Sequence, residues 1–234
     1  MFFLLALCLF TFACQDDDDL MPTPTPPSVE IFPISYLALG DSYTIGTSVT
    51  ADERWPAQLA RKIGTTTNYQ VRTQDIVAVN GWTTGDLLRG IESRRSELQR
   101  AYDLVSLLIG VNNQFQGRSL EQYLREFDQL LGEALAFAGG DKERIFVVSI
   151  PDYAYTPFGN GSEDISREVA IFNARAKERA SEFGVPFLII TPISQQGLTD
   201  PELVANDNLH PSGKQYQRWV EEVILDSVTE IIGR

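Results

Sequence analysis

The sequence predicts an α/β protein built on a single five-stranded parallel sheet with helices on both faces. From Ser35 onward, short apolar runs alternate with longer amphipathic stretches, which is the pattern of repeated β–α–β units. The apolar runs at 104–109 and 145–150 are almost continuous, as in strands that are buried on both faces. The sequence contains no internal repeat, and its 234 residues fit one α/β domain, placed at 35–234.

Strands and helices are predicted to alternate along the chain. The predicted strands cover residues 36–39, a segment within 69–79, and residues 104–109, 145–150 and 186–190. The predicted helices cover residues 55–63, 84–100, 120–137, 165–183 and 212–232. Functional groups of such sheets collect at the carboxyl ends of the strands, so the residues that follow each strand are the candidates for a site.

The charge of the chain excludes some partners. It has 19 basic and 32 acidic residues, which give a formal net charge of −13. A negative field of this size repels nucleic acid and anionic lipid. We therefore expect no nucleic-acid partner, and a neutral substrate rather than a phosphorylated one.

Residues 1–13 are predicted to be a signal peptide, because the apolar run at 2–10 is too short to span a bilayer. Ala13 and Cys14 follow this run and resemble the lipobox of a bacterial lipoprotein. Thr11 stands where that motif usually has leucine, and no lysine or arginine precedes the run. The prediction is cleavage before Cys14 and attachment to the membrane through a lipid anchor on that cysteine.

Residues 14–34 are predicted to be a tether. The acidic run at 16–19 resembles the surface-export signal of Bacteroidetes lipoproteins, and a plain solvated tail is the alternative. Five prolines between residues 20 and 34 favour an extended chain. These features predict a protein of the cell envelope, held at the outer membrane or the cell surface.

Cysteine and histidine are too few for the usual metal sites. The only cysteines are Cys8 and Cys14, and cleavage would leave the acylated Cys14 alone, without a disulfide or a cysteine cluster. His210 is the only histidine, whereas catalytic zinc sites usually use two or three. We expect no metal and no other cofactor.

Ser42 is the first candidate for the chemistry. It ends the tripeptide Gly40-Asp41-Ser42, directly after the first predicted strand. A strand-to-helix turn exposes such a hydroxyl, and a base that removes its proton makes it a nucleophile. The alternative is that Ser42 only caps a helix.

Asp207 and His210 form the second candidate group. Histidine is the side chain best suited to carry protons near neutral pH. Asp207 lies three residues before it, just ahead of the last predicted helix, so one turn can bring the carboxylate to the ring. There it would hold the imidazole tautomer and stabilise the imidazolium. A purely structural histidine is the alternative.

Gly81 and Asn112 follow two further strands. Gly81 lies in the segment 80–84 after the second strand, and Asn112 lies in 110–113 after the third. A glycine lets its backbone N–H approach a ligand closely, and an asparagine amide can donate a hydrogen bond to an oxyanion. Ordinary turn chemistry is the alternative for both.

In this order the four blocks resemble the SGNH (GDSL-type) hydrolases, a family named after its serine, glycine, asparagine and histidine. The resemblance covers about residue 35 to the end of the chain. Asn113 departs from it, because the family usually has aspartate at that position. The matching residues are Ser42 in Gly-Asp-Ser, Gly81 in Gly-Trp-Thr-Thr, Asn112 in Gly-Val-Asn and His210 in Asp-x-x-His.

The resemblance implies a flavodoxin-like three-layer α/β/α sandwich and hydrolysis of a carboxylic ester through an acyl-enzyme. It implies a catalytic triad of Ser42 as nucleophile, His210 as base and Asp207 as its partner. It also implies an oxyanion hole made of the backbone N–H groups of Ser42 and Gly81 and the side chain of Asn112. An acyltransferase and a catalytically silent glycan-binding module are the other functions compatible with this fold.

The substrate class stays open between a small-molecule and a glycan ester. Family members cleave lipid, acetyl-sugar and thioester substrates. A surface lipoprotein favours removal of acetyl groups from glycans, and a lysophospholipase-like or thioesterase-like lipid hydrolase is the alternative. The oligomeric state is not fixed by the sequence. Aromatic side chains near the predicted strand ends would bind substrate or simply pack: Trp55, Trp82, Phe115, Tyr153, Tyr155 and Phe158.

Overall fold

The computed structural model describes residues 30–233 and confirms the five-stranded parallel sheet. The strand order is β2-β1-β3-β4-β5. β2 lies on one side of β1 and the later strands lie on the other, so the strand order reverses between β1 and β3. Ligands of open α/β sheets bind at such a reversal. The strands are β1 (Phe32–Gly40), β2 (Tyr69–Ala78), β3 (Leu104–Leu108), β4 (Ile145–Val148) and β5 (Phe187–Leu188).

Helices cover both faces of this sheet. They are α1 (Ser42–Ile45), α2 (Trp55–Thr66), α3 (Thr84–Arg94), α4 (Val111–Phe115), α5 (Leu120–Phe137), α6 (Glu163–Phe183), α7 (Thr191–Ser194), α8 (Gly213–Trp219) and α9 (Leu225–Ile232), with 3₁₀ turns at Lys142–Arg144, Tyr153–Tyr155 and Pro201–Leu203. α2 packs against α8 and α9, while α5 packs against α3 and α6. The result is the predicted three-layer α/β/α sandwich.

β1 lies between β2 and β3 in the sheet and reaches further toward the amino terminus than predicted. It begins at Phe32, so residues 32–34, expected to end the tether, pair with β2. Pairing with β3 starts only at Tyr36. Pro33 therefore lies where β1 has a single neighbour, which is where a strand tolerates a residue without an N–H.

The strand register brings the predicted motifs to one edge of the sheet. Gly40, at the end of β1, stands opposite Ala78 of β2 on one side and Leu108 of β3 on the other. The segments that follow these three strands therefore leave the sheet side by side. They contain Ser42, Gly81 and Asn112.

Two predicted helices are not continuous over their predicted lengths. The helix predicted at 84–100 stops at Arg94, because the backbone N–H of Arg95 bonds back to Glu92 in a tight turn and the Tyr102 hydroxyl accepts the Gln99 N–H. The helix predicted at 212–232 is interrupted by a π-helical turn at Val220–Ile224. Such wide turns occur as short insertions within α-helices.

The last strand is shorter than predicted. Only Phe187–Leu188 of the segment 186–190 forms β5, which pairs with β4 alone. Pro186 still accepts a backbone hydrogen bond from Val147. Beyond Leu188, the N–H groups of Ile190 and Thr191 bond to the Ser149 hydroxyl instead of a neighbouring strand, and this ends the pairing.

The predicted signal peptide, the lipid anchor at Cys14 and the tether up to residue 29 lie outside the described residues. Within residues 30–233, no helix is both long enough and apolar enough to cross a bilayer.

Candidate active site

Ser42 lies in a tight turn between β1 and α1. It is the first residue of α1, and its side chain is largely buried. The Asp41 carboxylate caps this helix by accepting the Tyr43 N–H at 3.0 Å. α1 ends after four residues at Gly46, whose φ of +77° is left-handed. The turn thus fixes the Ser42 backbone at the rim of the sheet.

Asp207 and His210 form the hydrogen-bonded pair that the sequence predicts. Asp207 Oδ2 lies 2.6 Å from His210 Nδ1. Its other oxygen accepts the backbone N–H groups of Leu209 and His210 at 3.0 and 2.9 Å. The carboxylate therefore fixes both the loop and the imidazole, and Nε2 is the ring nitrogen left for a reacting group.

Ser48 binds the Asp207 carboxylate, a contact that sequence reasoning missed. Its hydroxyl donates to Asp207 Oδ2 at 2.5 Å, across 159 residues of chain. Ser48 has a φ of +70°, an uncommon conformation for a residue other than glycine. No local motif marks this position, because the contact exists only once the loop after α1 meets the Asp207 loop.

His210 and Ser42 line the same pocket. Tyr43 packs beside the imidazole, with ring centroids 5.5 Å apart. In the described part of the chain, no hydrogen bond joins Ser42 to His210. Catalytic hydrogen bonds are often long in the absence of substrate and tighten when it binds.

Gly81 and Asn112, the two further residues of the predicted site, line the same pocket. Gly81 has a φ of +83° and open space where a side chain would begin, which leaves room for a ligand near its backbone. Asn112 Nδ2 donates to the Trp82 carbonyl at 2.9 Å. Its contact to Asp41 Oδ2 is 3.5 Å, too long for a strong hydrogen bond, so one amide N–H remains available.

The pocket has a volume of about 240 Å³ and is lined mainly by apolar side chains. Val111, Phe115, Tyr153 and Leu209 form most of its wall. Phe158 contacts both Phe115 and Tyr153, with centroid distances of 6.1 and 6.4 Å. Phe115 and Phe158 are more than half exposed, so their faces are open to a substrate.

The other aromatic candidates have different positions. Trp55 is fully buried and packs edge-on against Phe146 in the core. Trp82 is partly buried and packs against the core, and a side chain added at Gly90 would meet its ring at 2.2 Å. Both tryptophans therefore serve packing.

The two carboxylates of the site differ in electrostatic environment. Burial raises the pKa of Asp41 to about 7, against a weaker opposing effect of backbone hydrogen bonds. Burial also raises the pKa of Asp207, but hydrogen bonds from Ser48, His210 and Leu209 outweigh it and hold that pKa well below its usual range. Asp207 is therefore ionised at neutral pH beside His210.

No cluster of three or more His, Cys, Asp and Glu side chains in residues 30–233 has the arrangement of a metal site.

Ser42 follows the first strand of this sheet, and His210, which is paired with Asp207, lines the same pocket, an arrangement that resembles the SGNH hydrolases. Comparison with known families agrees, because residues 38–218 match the model of the GDSL-like lipase/acylhydrolase family. The chain belongs to this family and is a hydrolase that acts on ester bonds. A comparison with curated proteins finds no significant match.

Solved structures of esterases and lipases share the fold at low sequence identity. The psychrotrophic esterase EstA from Pseudoalteromonas sp. has a TM-score of 0.64 at 17% identity, over 86% of this chain and 99% of that chain. A lipase from a goat rumen metagenome has a TM-score of 0.68 at 17% identity, over 85% and 97%. Axe2, an acetylxylan esterase from Geobacillus stearothermophilus, has a TM-score of 0.60 at 19% identity, over 86% and 94%.

Proposed function

We propose that the protein is a serine esterase that works through a triad of Ser42, His210 and Asp207. The observation that carries this proposal is the 2.6 Å contact between Asp207 Oδ2 and His210 Nδ1. His210 lines the same pocket as Ser42. With Nδ1–H donated to an ionised carboxylate, Nε2 bears the lone pair that a general base needs.

The proposed reaction has two steps. His210 Nε2 takes the proton of Ser42 Oγ, which attacks the carbonyl carbon of the ester. The tetrahedral oxyanion accepts hydrogen bonds from the backbone N–H groups of Ser42 and Gly81 and from the amide of Asn112. His210 then protonates the leaving alcohol, and water repeats the sequence on the acyl-enzyme.

The assignment is tested by removing each triad member. Ser42→Ala and His210→Ala should each lose nearly all activity on a short-chain nitrophenyl ester, with unchanged circular dichroism. Ser93→Ala removes the hydroxyl of a serine on α3 that does not line the pocket, and this variant should keep the wild-type rate. A Ser42→Ala protein with more than a few per cent of the wild-type rate would refute the triad.

For the substrate, we propose that the enzyme removes acetyl groups from glycans. The pocket volume of about 240 Å³ is at the small end for a ligand site, and the exposed rings of Phe115 and Phe158 offer faces on which a sugar can stack. The fold similarity to an acetylxylan esterase is compatible with this proposal. The apolar wall favours a second candidate, a lipid or thioester hydrolase.

One screen separates the two candidates. Acetylated xylan and other acetylated glycans are compared with nitrophenyl esters of graded acyl length. The glycan proposal expects release of acetate from polymer and a steep fall in kcat/KM beyond short acyl chains. A rise in kcat/KM with acyl length, without acetate release, would instead establish the lipid hydrolase. Product analysis with an added sugar acceptor distinguishes an acyltransferase.

A further inference from the structure

Asn113 joins the two segments that carry the proposed oxyanion donors: the Gly81 segment, which leads into α3, and the Asn112 segment at the start of α4. Its side chain is fully buried. Asn113 Oδ1 accepts the backbone N–H of Thr84 at 3.0 Å, and Nδ2 donates to the Thr84 hydroxyl at 2.7 Å. Thr84 lies three residues after Gly81, while Asn113 directly follows Asn112. One amide therefore connects the segment of each donor to the other.

The direction of every hydrogen bond at this contact is fixed. A backbone N–H only donates, so the amide oxygen of Asn113 must face Thr84 N and its NH₂ must face the Thr84 hydroxyl. The hydroxyl accepts there and donates its own hydrogen to Glu126 Oε2 in a short hydrogen bond. Glu126 Oε1 accepts from Gln122 at 2.9 Å. The chain of donors thus runs from Asn113 through Thr84 to Glu126.

We propose that Asn113 is a positioning residue that holds the two donor segments together, and that Glu126 requires an amide at position 113. The inference rests on the proposed oxyanion hole. A carboxylate at position 113 would face a hydroxyl whose only hydrogen is already donated to Glu126. Two carboxylates would then compete for one hydrogen, and the losing carboxylate would have one oxygen facing the Thr84 hydroxyl oxygen without a hydrogen between them.

Other contacts keep the two donor segments joined when the Asn113 contact is disturbed. Asn112 donates to the Trp82 carbonyl at 2.9 Å, and Gln116 donates to the Gly81 carbonyl at 3.3 Å. Asn113, unlike Asn112 and Gln116, binds both a backbone group and a side chain of the Gly81 segment, namely those of Thr84. Its loss should therefore shift the donors by a small distance, which lowers turnover more than it changes substrate binding.

The test reverses the polarity of the hydrogen bonds. Asn113→Asp should lower kcat on the order of tenfold while KM changes little. Glu126→Gln alone should stay close to wild type, because the side-chain amides then present at positions 122 and 126 can flip to fit. In the double variant N113D/E126Q, the new amide at position 126 donates to the Thr84 hydroxyl, which donates in turn to the new carboxylate at position 113. The kcat of the double variant should therefore return to the level of E126Q.

Asn173→Asp is the matched control for stability. Asn173 makes the same kind of contact outside the pocket lining, to the Ile150 backbone and the Thr191 hydroxyl. The Asn173→Asp variant should have a lower melting temperature and an unchanged kcat per active site. Active sites are counted by reaction with a fluorophosphonate. An unchanged kcat in N113D, or a double variant as slow as N113D, would overturn the inference.

Thr84→Val keeps the inference testable if N113D does not fold. It removes the hydroxyl and retains the backbone N–H that Asn113 accepts. We expect a severalfold lower kcat with KM retained, and an unchanged kcat would count against the inference. Failure of the proposed function would give a different result, because neither the wild-type protein nor any of these variants would then react with the fluorophosphonate at Ser42.

Discussion

At the scale of single residues, the site contains two carboxylates with opposite roles. Asp207 is ionised because several N–H and O–H donors face it, and its negative charge stabilises the imidazolium that forms when His210 takes a proton. Asp41 is fully buried and receives few hydrogen bonds. Its part is to cap α1 and fix the turn of Ser42.

The buried Asp41 should make stability depend on pH. Its folded pKa of about 7 exceeds that of an unfolded aspartate, about 4. The folded state holds the extra proton between these values, so the contribution of Asp41 to stability is full below about pH 4 and is lost as pH rises to about 7. Between about pH 5 and 7.5 the free energy of unfolding of wild type should fall relative to that of Asp41→Asn.

Urea denaturation of both proteins across this range measures the difference. Surface carboxylates with a lowered pKa, such as Asp200 and Glu222, lose their contributions to stability only below this pH range. Parallel curves for wild type and Asp41→Asn would show that Asp41 keeps the same protonation in both states.

Asn112 should act on turnover rather than on binding. Loss of one oxyanion donor typically costs on the order of a hundredfold in rate, and Asn112→Ala should lower kcat by about that factor with a smaller change in KM. Gln116→Ala is the control, since Gln116 lines the pocket and bonds to Gly81 without being a proposed donor. Equal kcat values for Asn112→Ala and wild type would assign the oxyanion to other groups.

At the scale of elements, the close approach of β1, α1 and β3 depends on Gly40. A Cβ at this position would stand 2.1 Å from Thr44 Oγ1 and 2.6 Å from the Leu108 carbonyl oxygen. The carbonyl belongs to the β3 backbone and cannot move without breaking the sheet. The absence of a side chain at Gly40 is therefore what allows the nucleophile turn to sit at the end of the strand.

Gly40→Ala should destabilise the fold by about 1–3 kcal/mol or more, because the added methyl overpacks a rigid site. Gly64→Ala is the matched control, since Gly64 lies in α2 with open space around it and alanine favours a helix. Thermal unfolding should show a lower melting temperature for the first variant and an equal or higher one for the second. Equal melting temperatures for Gly40→Ala and wild type would refute the packing account.

The sequence predicted the sheet and four site blocks because both depend on local patterns. Apolar runs mark the strands, and strand ends mark the positions of Ser42, Gly81 and Asn112. The end of α3 and the π-helical turn were not predicted, because the apolar spacing continues through both. The hydrogen bonds of Ser48 to Asp207 and of Thr84 to Glu126 join residues that are 159 and 42 positions apart. No local sequence pattern indicates such contacts.

At the scale of the whole molecule, the catalytic domain and the proposed anchor are separate parts of the chain. β1 starts at the edge of the sheet opposite the candidate active site, since Ser42 follows its carboxyl end. A tether attached at Phe32 would leave the pocket pointing away from its attachment point.

Cys14→Ala tests the anchor. Acyl chains on Cys14 would supply the attachment, and two or more chains give stable binding, so wild-type protein expressed in a bacterial host should partition into detergent and the variant should not. Cys8→Ala is the control, because Cys8 lies in the predicted signal peptide. A Cys14→Ala protein that partitions like wild type would point to an uncleaved apolar segment as the anchor.

The identity of the nucleophile is the central claim, and covalent labelling tests it most directly. A fluorophosphonate reacts with an activated serine and leaves an adduct that mass spectrometry assigns to one residue. Wild-type protein should carry a single adduct on Ser42, His210→Ala should react far more slowly, and Ser42→Ala should not react. An adduct on any other serine, or labelling of Ser42→Ala at the wild-type rate, would contradict the account.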